Sequence, residues 1–324
     1  MSDVDDAGPI CLLNGADVDR LASVSLALDA AEAAARLDRG RVATGRLQVN
    51  GAVSWSRILS GSITELDVFG YKEFHRVGKR VRYHIHLYRE STGNALGIVD
   101  GRRITSLRTA ATAAVAVQAW GSRVPVSVGV VGSGEEAREG LRALHGAIDI
   151  SDVSVYSPTQ ANREAFAIDM SQSLGLDVQA ADDQTSVLKN ADVLYVATSS
   201  KGEPFLSRRD VEGIPMVVAV GATQPADREL AADVFGGAEV VVDVLDAVLE
   251  SGDGRAAMEH GWDPGSARTL GDYLDAPTPA DRTLFKSIGT VEQDLVLALA
   301  LLDAAERQGI GTVTGPVGSL RVMR

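Results

Sequence analysis

Cysteine, lysine and aromatic residues are scarce in this 324-residue chain, and its hydrophobic runs are short. The single cysteine, Cys11, cannot form an internal disulfide, which fits a reducing compartment. No run approaches the roughly 18 apolar residues that a membrane span requires. The N-terminal residues are acidic where a signal peptide would carry bases. We therefore expect a cytoplasmic protein without a membrane partner.

Positive charge is also in deficit, with 31 Lys and Arg residues against 44 Asp and Glu residues and a net charge of −13. A general nucleic-acid binder normally needs a basic face, so we expect no nucleic-acid partner. The composition, 45% hydrophobic and 23% charged, is that of a folded protein. The length allows one large domain or two ordinary ones.

The first hundred residues combine helical and strand patterns. Residues 17–39 alternate apolar and charged side chains at helical spacing and end at Gly40, which predicts one amphipathic helix. Residues 46–100 alternate with the period of a strand between turn residues, which predicts an antiparallel sheet. Residues 106–120, rich in Ala and Thr, predict a second helix.

The middle of the chain alternates short β-branched runs with helical segments. Five buried parallel strands are predicted, at 126–131, 153–156, 193–198, 216–220 and 240–242, with helices at 135–146, 160–174 and 183–190. This alternation predicts an α/β fold with a doubly wound parallel sheet. Residues 251–283 are expected to be loops, and a long apolar helix is predicted over 290–308. A nucleotide-binding domain at 121–290 would thus be inserted into an α+β domain made of 1–120 and 291–324.

A glycine-rich turn follows the first of these strands. Gly132, Gly134 and Ala137 form the pattern Gly-x-Gly-x-x-Ala between a strand and a helix. A dinucleotide pyrophosphate needs a tight turn, close backbone approach and the free N–H groups of a helix start. The strand before the turn and the βαβ pattern after it favour dinucleotide binding over a merely structural turn.

The tip of the second strand bears on the choice of dinucleotide. An NAD site would place Asp or Glu there to bind the ribose 2′-OH, and neither is present. Ser157, Thr159 and Arg163 suit a 2′-phosphate instead, since donors and a cation complement its charge. The alternative is that Arg163 is an ordinary solvated helix residue. NADP(H) is therefore favoured over NAD(H), and no metal is predicted.

Three cations of the N-terminal half are candidates for substrate binding. Lys72, one of five lysines, follows an apolar strand-like segment, so that burial would lower the pKa of its amine and suit it to acid–base work. Arg46 and Arg108 could bind a substrate carboxylate through paired hydrogen bonds. By residue type and spacing alone, surface solvation is the favoured interpretation for any one of these residues.

Four ordered motifs give the sequence a resemblance to the ornithine cyclodeaminase/mu-crystallin family, from about residue 10 to 317. They are residues 92–97 with 100–101 and 105–111, residues 132–138, residues 220–225 with 228–230, and residues 285–290 with Glu292 and Asp294. The resemblance implies a Rossmann domain inserted into a substrate-binding and dimerisation domain, hence a homodimer. It also implies amino acids or their cyclic imines as substrates and NAD(P)(H) as the hydride carrier.

The resemblance further assigns roles to single residues. Lys72 matches the active-site lysine of the family, and Arg46 and Arg108 match the arginines that bind the substrate carboxylate. The positions that match cofactor-lining residues are Thr109, Gly132, Ser133, Gly134, Glu136, Ala137, Ala197, Thr198, Ser199, Val220, Gly221, Thr223 and Ser287.

One departure from the family pattern bears on the reaction. Thr223 stands where cyclodeaminases and several amino-acid dehydrogenases carry an aspartate that moves protons on the substrate amine. A threonine cannot act as a general base near neutral pH, whereas reduction of a protonated imine needs only one acid and an anchor. We expect an NAD(P)H-dependent imine reductase, with a deaminase or dehydrogenase that uses another base, such as Asp227, or a non-catalytic NADPH and small-acid binding protein as alternatives.

Overall fold

The structure, a computed structural model, describes residues 8–121, 124–278 and 280–317. The chain divides into two compact units, one formed by Met1–Thr105 with Val291–Arg324 and the other by Ser106–Thr290. The acidic residues 1–7 that argue against a signal peptide lie outside the described residues. Within the described ranges, no helix combines the length and the apolar character needed to span a membrane.

Strands and helices follow one another in blocks along the chain. The strands are β1 (Ile10–Leu13), β2 (Val42–Asn50), β3 (Ser54–Ile63), β4 (Val68–Val77), β5 (Arg80–Arg89), β6 (Ala95–Asp100), β7 (Val126–Val131), β8 (Ile150–Tyr156), β9 (Val178–Ala180), β10 (Val193–Val196), β11 (Met216–Ala219), β12 (Glu239–Val242), β13 (Arg268–Thr269), β14 (Thr283–Lys286) and β15 (Thr312–Thr314). The α-helices are α1 (Gly15–Leu21), α2 (Val24–Ala35), α3 (Arg102–Trp120), α4 (Glu135–Ala147), α5 (Gln160–Leu174), α6 (Gln184–Leu188), α7 (Leu245–Glu250), α8 (Gly252–Glu259), α9 (Leu270–Asp275) and α10 (Val291–Gln308).

The first unit contains a seven-stranded sheet in the order β15-β1-β6-β5-β4-β3-β2. Neighbouring strands from β2 to β6 run antiparallel, which confirms the sheet predicted over residues 46–100. β1 lies parallel to β6, and β15 returns from the far end of the chain to pair with β1. Sequence analysis missed β1 and β15 because three or four residues are too few to show a period.

Helix α10 packs against α2 and against strands β3 to β6 of this sheet. Glycines in the strands permit the close approach. A Cβ at Gly61 would lie 2.9 Å from a methyl of Val291, and one at Gly70 would lie 3.0 Å from a methyl of Leu295. Only glycine leaves room for the helix at these positions, so the first turns of α10 lie directly on β3 and β4.

The single helix predicted over residues 17–39 is wrong, because the chain forms two helices there. α1 ends at Leu21, and Ala22 adopts an extended conformation with ψ of 113°. The hydroxyl of Ser23 then accepts a hydrogen bond from the N–H of Leu26 and caps α2. A serine whose hydroxyl accepts from a backbone N–H three residues later favours a helix start over a helix interior.

The second unit contains an eight-stranded sheet in the order β13-β12-β14-β11-β10-β7-β8-β9, and all of its pairs are parallel. This confirms the predicted doubly wound parallel sheet. Counted from β7, the strands β9-β8-β7-β10-β11 follow the dinucleotide-binding order 3-2-1-4-5. The order reverses between β7 and β10, and ligands of such sheets bind in the crevice outside the carboxyl ends at that point.

The prediction of loops over residues 251–283 is wrong, because this stretch contains α8, α9 and β13. β14 begins at the end of this stretch and lies between β11 and β12, within the sheet rather than at its edge. The abundance of Gly, Pro and Asp hid these elements. Polar side chains act there as helix caps: the Ser251 hydroxyl accepts from the N–H of Gly254 at the start of α8, and Asp263 Oδ1 accepts from the N–H of Gly265.

Candidate active site

The Lys72 side chain is buried in the first unit beside a carboxylate. It lies on β4, the residue is 2% exposed, and its Nζ donates a hydrogen bond of 3.0 Å to Oδ1 of Asp294 on α10. The ring centroids of Phe74 and Tyr83 lie 5.8 and 5.7 Å from Nζ. A carboxylate and ring faces both favour an ammonium over a neutral amine. This arrangement can hold a proton on Nζ in a place shielded from bulk water.

Arg46 and Lys72 share one face of the first sheet. Arg46 of β2 is in register with Leu59 of β3, and Leu59 is in register with Lys72 of β4. Directly opposite residues of antiparallel strands point to the same face, and two strand spacings separate their backbones by about 10 Å. Arg46 is exposed and Lys72 is buried. The first unit therefore brings two of the three predicted cations to one surface.

A second polar cluster lies on the opposite face of β4 and β5. Glu73 Oε1 lies 2.6 Å from Nδ1 of His75, and Glu73 Oε2 lies 3.0 Å from Nδ1 of His84. Burial tends to raise the pKa of the Glu73 carboxyl, but the hydrogen bonds with His84 and His75 outweigh it and the pKa is lowered. Among the described residues, this is the group spaced closely enough to hold a metal ion.

In the second unit, the glycine-rich turn has the local geometry that a pyrophosphate site needs. Gly132 has a φ of 118°, and a Cβ there would overlap the carbonyl oxygen of Ala197. Gly134 is the N-cap of α4 and a Cβ there would meet open space, while Ala137 is fully buried and Glu136 is half-buried. The turn thus leaves the start of α4 open for an anion, and its residues fit the diphosphate of a dinucleotide.

The tip of β8 contains the residues predicted to select the cofactor. Ser157 is buried, and its hydroxyl accepts a 2.9 Å hydrogen bond from Ser133 Oγ. Thr159 is exposed at the start of α5. Arg163 is not the solvated helix residue of the alternative interpretation. It is 9% exposed, its Nη1 donates to the carbonyl of Ser157 at 3.1 Å, and its guanidinium lies over the ring of Tyr156.

The loops after β10 and β11 contain six further predicted cofactor residues. Ala197 and Val220 are buried, Thr198, Gly221 and Thr223 are half-buried, and Ser199 is exposed. A carboxylate that sequence analysis left without a role, Glu229, accepts hydrogen bonds from both loops. Glu229 therefore links the two loops through its carboxylate.

Arg108 lies against a loop that is itself held by a carboxylate. Arg108 on α3 is 8% exposed, and a Cβ at Gly289 would overlap its guanidinium. Asp243 Oδ2 accepts hydrogen bonds from Ser287 Oγ at 2.6 Å and from the N–H of Gly289 at 2.8 Å. Asp243 thus sets the position of the loop that contacts Arg108. Thr109, the next residue of the helix, is buried.

Three carboxylates that hold the predicted site residues were not predicted from the sequence to do so: Asp294, Glu229 and Asp243. A signal for two of them was present. Asp294 is an acid within an apolar helix, and Glu229 stands in one of the quoted motifs. A charged residue in a stretch that must be buried needs a partner, which makes it a candidate for a site.

The sequence is similar to those of several known proteins. Residues 69–309 match the sequence pattern of the ornithine cyclodeaminase/mu-crystallin family. A Delta(1)-pyrroline-2-carboxylate reductase of Bacillus thuringiensis subsp. konkukian (strain 97-27) is 26% identical over 246 residues, which cover 73% of this chain and 75% of that protein. The ketimine reductase mu-crystallin of Rattus norvegicus is 30% identical over 222 residues, which cover 67% and 68%.

A solved structure has the same fold over nearly the full length. The Delta(1)-pyrroline-2-carboxylate reductase of Thermococcus litoralis, in complex with NADH and L-proline, superposes with a TM-score of 0.86 at 24% identity. The superposition covers 94% of this chain and 99% of that one.

Proposed function

Because the chain belongs to the ornithine cyclodeaminase/mu-crystallin family, we propose that it is an NAD(P)H-dependent reductase that converts a carboxylated, cyclic imine to the amino acid. The observation that carries the proposal is the buried pair of Lys72 and Asp294, which provides a proton at a protected nitrogen. Relatives named as a pyrroline-2-carboxylate reductase and a ketimine reductase support the same reaction.

In this reaction Lys72 supplies the proton, and two arginines anchor the substrate. The nicotinamide cofactor, when bound, supplies the hydride that reduces the imine carbon. Lys72 Nζ donates its proton to the imine nitrogen, so that proton and hydride together convert C=N to CH–NH. Arg46 and Arg108 bind the substrate carboxylate, because a guanidinium offers paired donors to its two oxygens. These cations hold the substrate in position beside a proton donor, and this positioning accelerates the reduction of the imine.

The second unit binds the cofactor in this proposal. The open start of α4 behind Gly132 and Gly134 takes the diphosphate, and the carboxyl ends of β10 and β11 face the nicotinamide half. We favour NADP(H) over NAD(H). Ser157 and Arg163 meet at the β8 tip, where an NAD site would hold an acid, and their donors suit a 2′-phosphate.

Thr223 favours reduction over deamination. It is half-buried on the loop after β11, in the place where the family resemblance expects a catalytic aspartate in deaminases. A hydroxyl that stays protonated at neutral pH cannot take a proton from a substrate amine. An imine needs no such base, since its nitrogen receives a proton rather than losing one.

We assign substrate binding and dimerisation to the domain made of residues 1–120 and 291–324, and cofactor binding to residues 121–290. By compactness, residues 106–120 of this proposed substrate domain belong to the second unit. Exposed Leu47 and Val49 on β2, at 57% and 55%, support an interface with a second copy of the chain. The single cysteine supports a cytoplasmic location.

The test is a cofactor-oxidation screen. NADPH and NADH are each offered with pyrroline-2-carboxylate, piperideine-2-carboxylate and acyclic imino acids, for the natural chain and for Lys72→Met. Lys79→Met is the matched control, because Lys79 is an exposed lysine of the turn between β4 and β5. We expect NADPH consumption with a cyclic imine, its loss in K72M with cofactor binding retained, and no change in K79M.

Two other results would replace the proposal. Release of ammonia from ornithine with catalytic NAD would make the protein a deaminase. Tight NADPH binding without turnover of any imine in the panel would make it a binding protein. Full turnover by K72M would remove Lys72 from the mechanism.

A further inference from the structure

One buried carboxylate ties together the loops that follow two adjacent strands of the second sheet. Glu229 is 0% exposed. Its Oε1 accepts hydrogen bonds of 2.7 Å from both the N–H and the Oγ1 of Thr198, after β10. Its Oε2 accepts from the N–H groups of Gly221 and Ala222, after β11, at 2.9 and 3.0 Å. Four donors from two loops thus converge on one side chain.

A second layer of buried charge holds Glu229 in turn. Asp253 Oδ1 accepts hydrogen bonds from the backbone N–H groups of Glu229 and Leu230, at 3.0 and 3.1 Å. Lys286 Nζ lies 3.0 Å from Asp253 Oδ2 and donates to the carbonyl of Ala222 at 3.0 Å. Asp253 and Lys286 are both 0% exposed. The cluster therefore joins β14 and α8 to the same two loops.

The position of the tied loops relates them to one half of a dinucleotide. The strand order reverses between β7 and β10, so the glycine-rich turn after β7 belongs to the adenosine half of the crevice. The loops after β10 and β11 belong to the other half, which takes the nicotinamide nucleotide. Glu229 is buried where these two loops meet and bonds to the backbone of both.

Because residue 221 is a glycine, the Glu229 carboxylate and the loop of Thr198 can both lie close to its backbone. A Cβ there would overlap Glu229 Oε1 and the backbone of Thr198. Burial raises the pKa of the Glu229 carboxyl, and the charge of Lys286 and the hydrogen bonds from Thr198 act in the opposite direction. A charged cluster is a costly way to join two loops that apolar contacts could join. Its use points to a need for fixed geometry at the loop backbone.

We propose that Glu229 is a positioning residue for the nicotinamide half of the cofactor, because it fixes the backbone of the loops at Thr198 and at Gly221 and Ala222 relative to each other. The inference rests on the proposed function in so far as the ligand is a nicotinamide dinucleotide. In this proposal Glu229 acts through the loops that it contacts, because its own side chain is fully buried.

The test compares Glu229→Gln with Asp192→Asn. An amide places an N–H₂ group among the loop donors, so one loop loses its acceptor. Asp192 is a matched control, since its Oδ2 accepts from the N–H and Oγ of Ser127 and joins β10 to β7 at their amino ends. Both variants break similar bonds in the same unit, at opposite ends of the strands.

Two ligands separate positioning from stability. We expect E229Q to weaken NADPH binding by about tenfold or more, from the loss of one or two hydrogen bonds to a charged group. Binding of 2′-phospho-ADP-ribose, which lacks the nicotinamide, should change by less than about twofold. In hydrogen exchange of the cofactor-free protein, the amides of Thr198, Gly221 and Ala222 should exchange faster. D192N should lower the melting temperature and leave both affinities unchanged.

The proposal is overturned if E229Q weakens both ligands equally, or if D192N reproduces its pattern, because Glu229 would then serve the stability of the unit alone. Should E229Q not fold, Glu229→Asp keeps the charge but shortens the side chain by one methylene, so that it cannot reach both loops, and it must show the same selectivity for NADPH. A chain that binds NADPH but reduces no imine would refute the proposed function while leaving this result intact, since neither exchange nor binding requires turnover.

Discussion

Replacing Asp294 with asparagine removes the counter-charge of Lys72 and keeps the shape of the side chain. The Nζ to Oδ1 distance is 3.0 Å, Asp294 is 0% exposed, and Lys72 is 2% exposed. Neither group can turn into water, so solvent does not screen the loss. Breaking one side of such a buried pair typically costs about 3–5 kcal/mol.

Lys72 can relieve that cost by releasing its proton. One pH unit corresponds to about 1.36 kcal/mol, so the lower estimate of about 3 kcal/mol equals roughly two pH units. The proposed reduction needs the ammonium form. The fall of kcat/KM at alkaline pH should therefore move about two units lower in D294N, and kcat/KM within that range should drop by about a hundredfold.

The assay is kcat/KM for the imine from about pH 6 to pH 10, together with a melting curve. Glu292→Gln is the matched control, as it lies two residues away on the same helix and its Oε1 pairs with Arg39 at 2.6 Å. The Arg39 side chain is 44% exposed and can turn to solvent, so this loss should cost no more than about 1 kcal/mol.

An unchanged pH profile in D294N, with a folded protein and normal cofactor binding, would refute the reasoning. Lys72 would then not be the proton donor, or its proton would not depend on Asp294. Equal shifts in D294N and E292Q would assign the effect to the helix rather than to the buried pair.

Two further predictions concern other contacts. Gly289→Ala should displace the Arg108 guanidinium and raise the KM for the imine by about tenfold, with the NADPH affinity retained; an unchanged KM would separate Arg108 from carboxylate binding. For Glu73, whose pKa is lowered by His75 and His84, the bonds stabilise the fold above the ordinary carboxyl pKa and lose this effect as the pH falls through the lowered value. The free energy of unfolding of Glu73→Gln should therefore be about 1 kcal/mol below that of the natural chain near neutral pH, and the difference should vanish in acid; a constant difference would contradict this origin.

The elements with a long, regular period were predictable from the sequence. The antiparallel sheet over 46–100 follows alternation, the strands and helices between 126 and 174 follow the alternation of β-branched runs with helical segments, and all of them are present. The first two strands of the second sheet also frame the glycine-rich turn, whose residue types prescribe a backbone conformation. Gly132 has the positive φ that such a turn requires.

The partners of the site residues were not predictable in the same way. Lys72 and Asp294 are more than two hundred positions apart, and their contact depends on the packing of α10 on β4. Glu229 stands in one of the motifs, but its bonds to two loops depend on how those loops fold, which no local pattern shows. Short elements such as β13, of two residues, are defined by their neighbours in the sheet and not by any pattern of their own.

The order of synthesis has a consequence for the first unit. The second unit is one continuous stretch, Ser106–Thr290, whereas the first must wait for Val291 onward to receive α10 and β15. During translation the newly made strands β3 and β4 therefore remain uncovered on one side, and Lys72 stays without its carboxylate, until nearly all of the polypeptide has left the ribosome. A protein truncated before residue 291 would lack Asp294, the partner of Lys72, and its uncovered strands would be prone to aggregation.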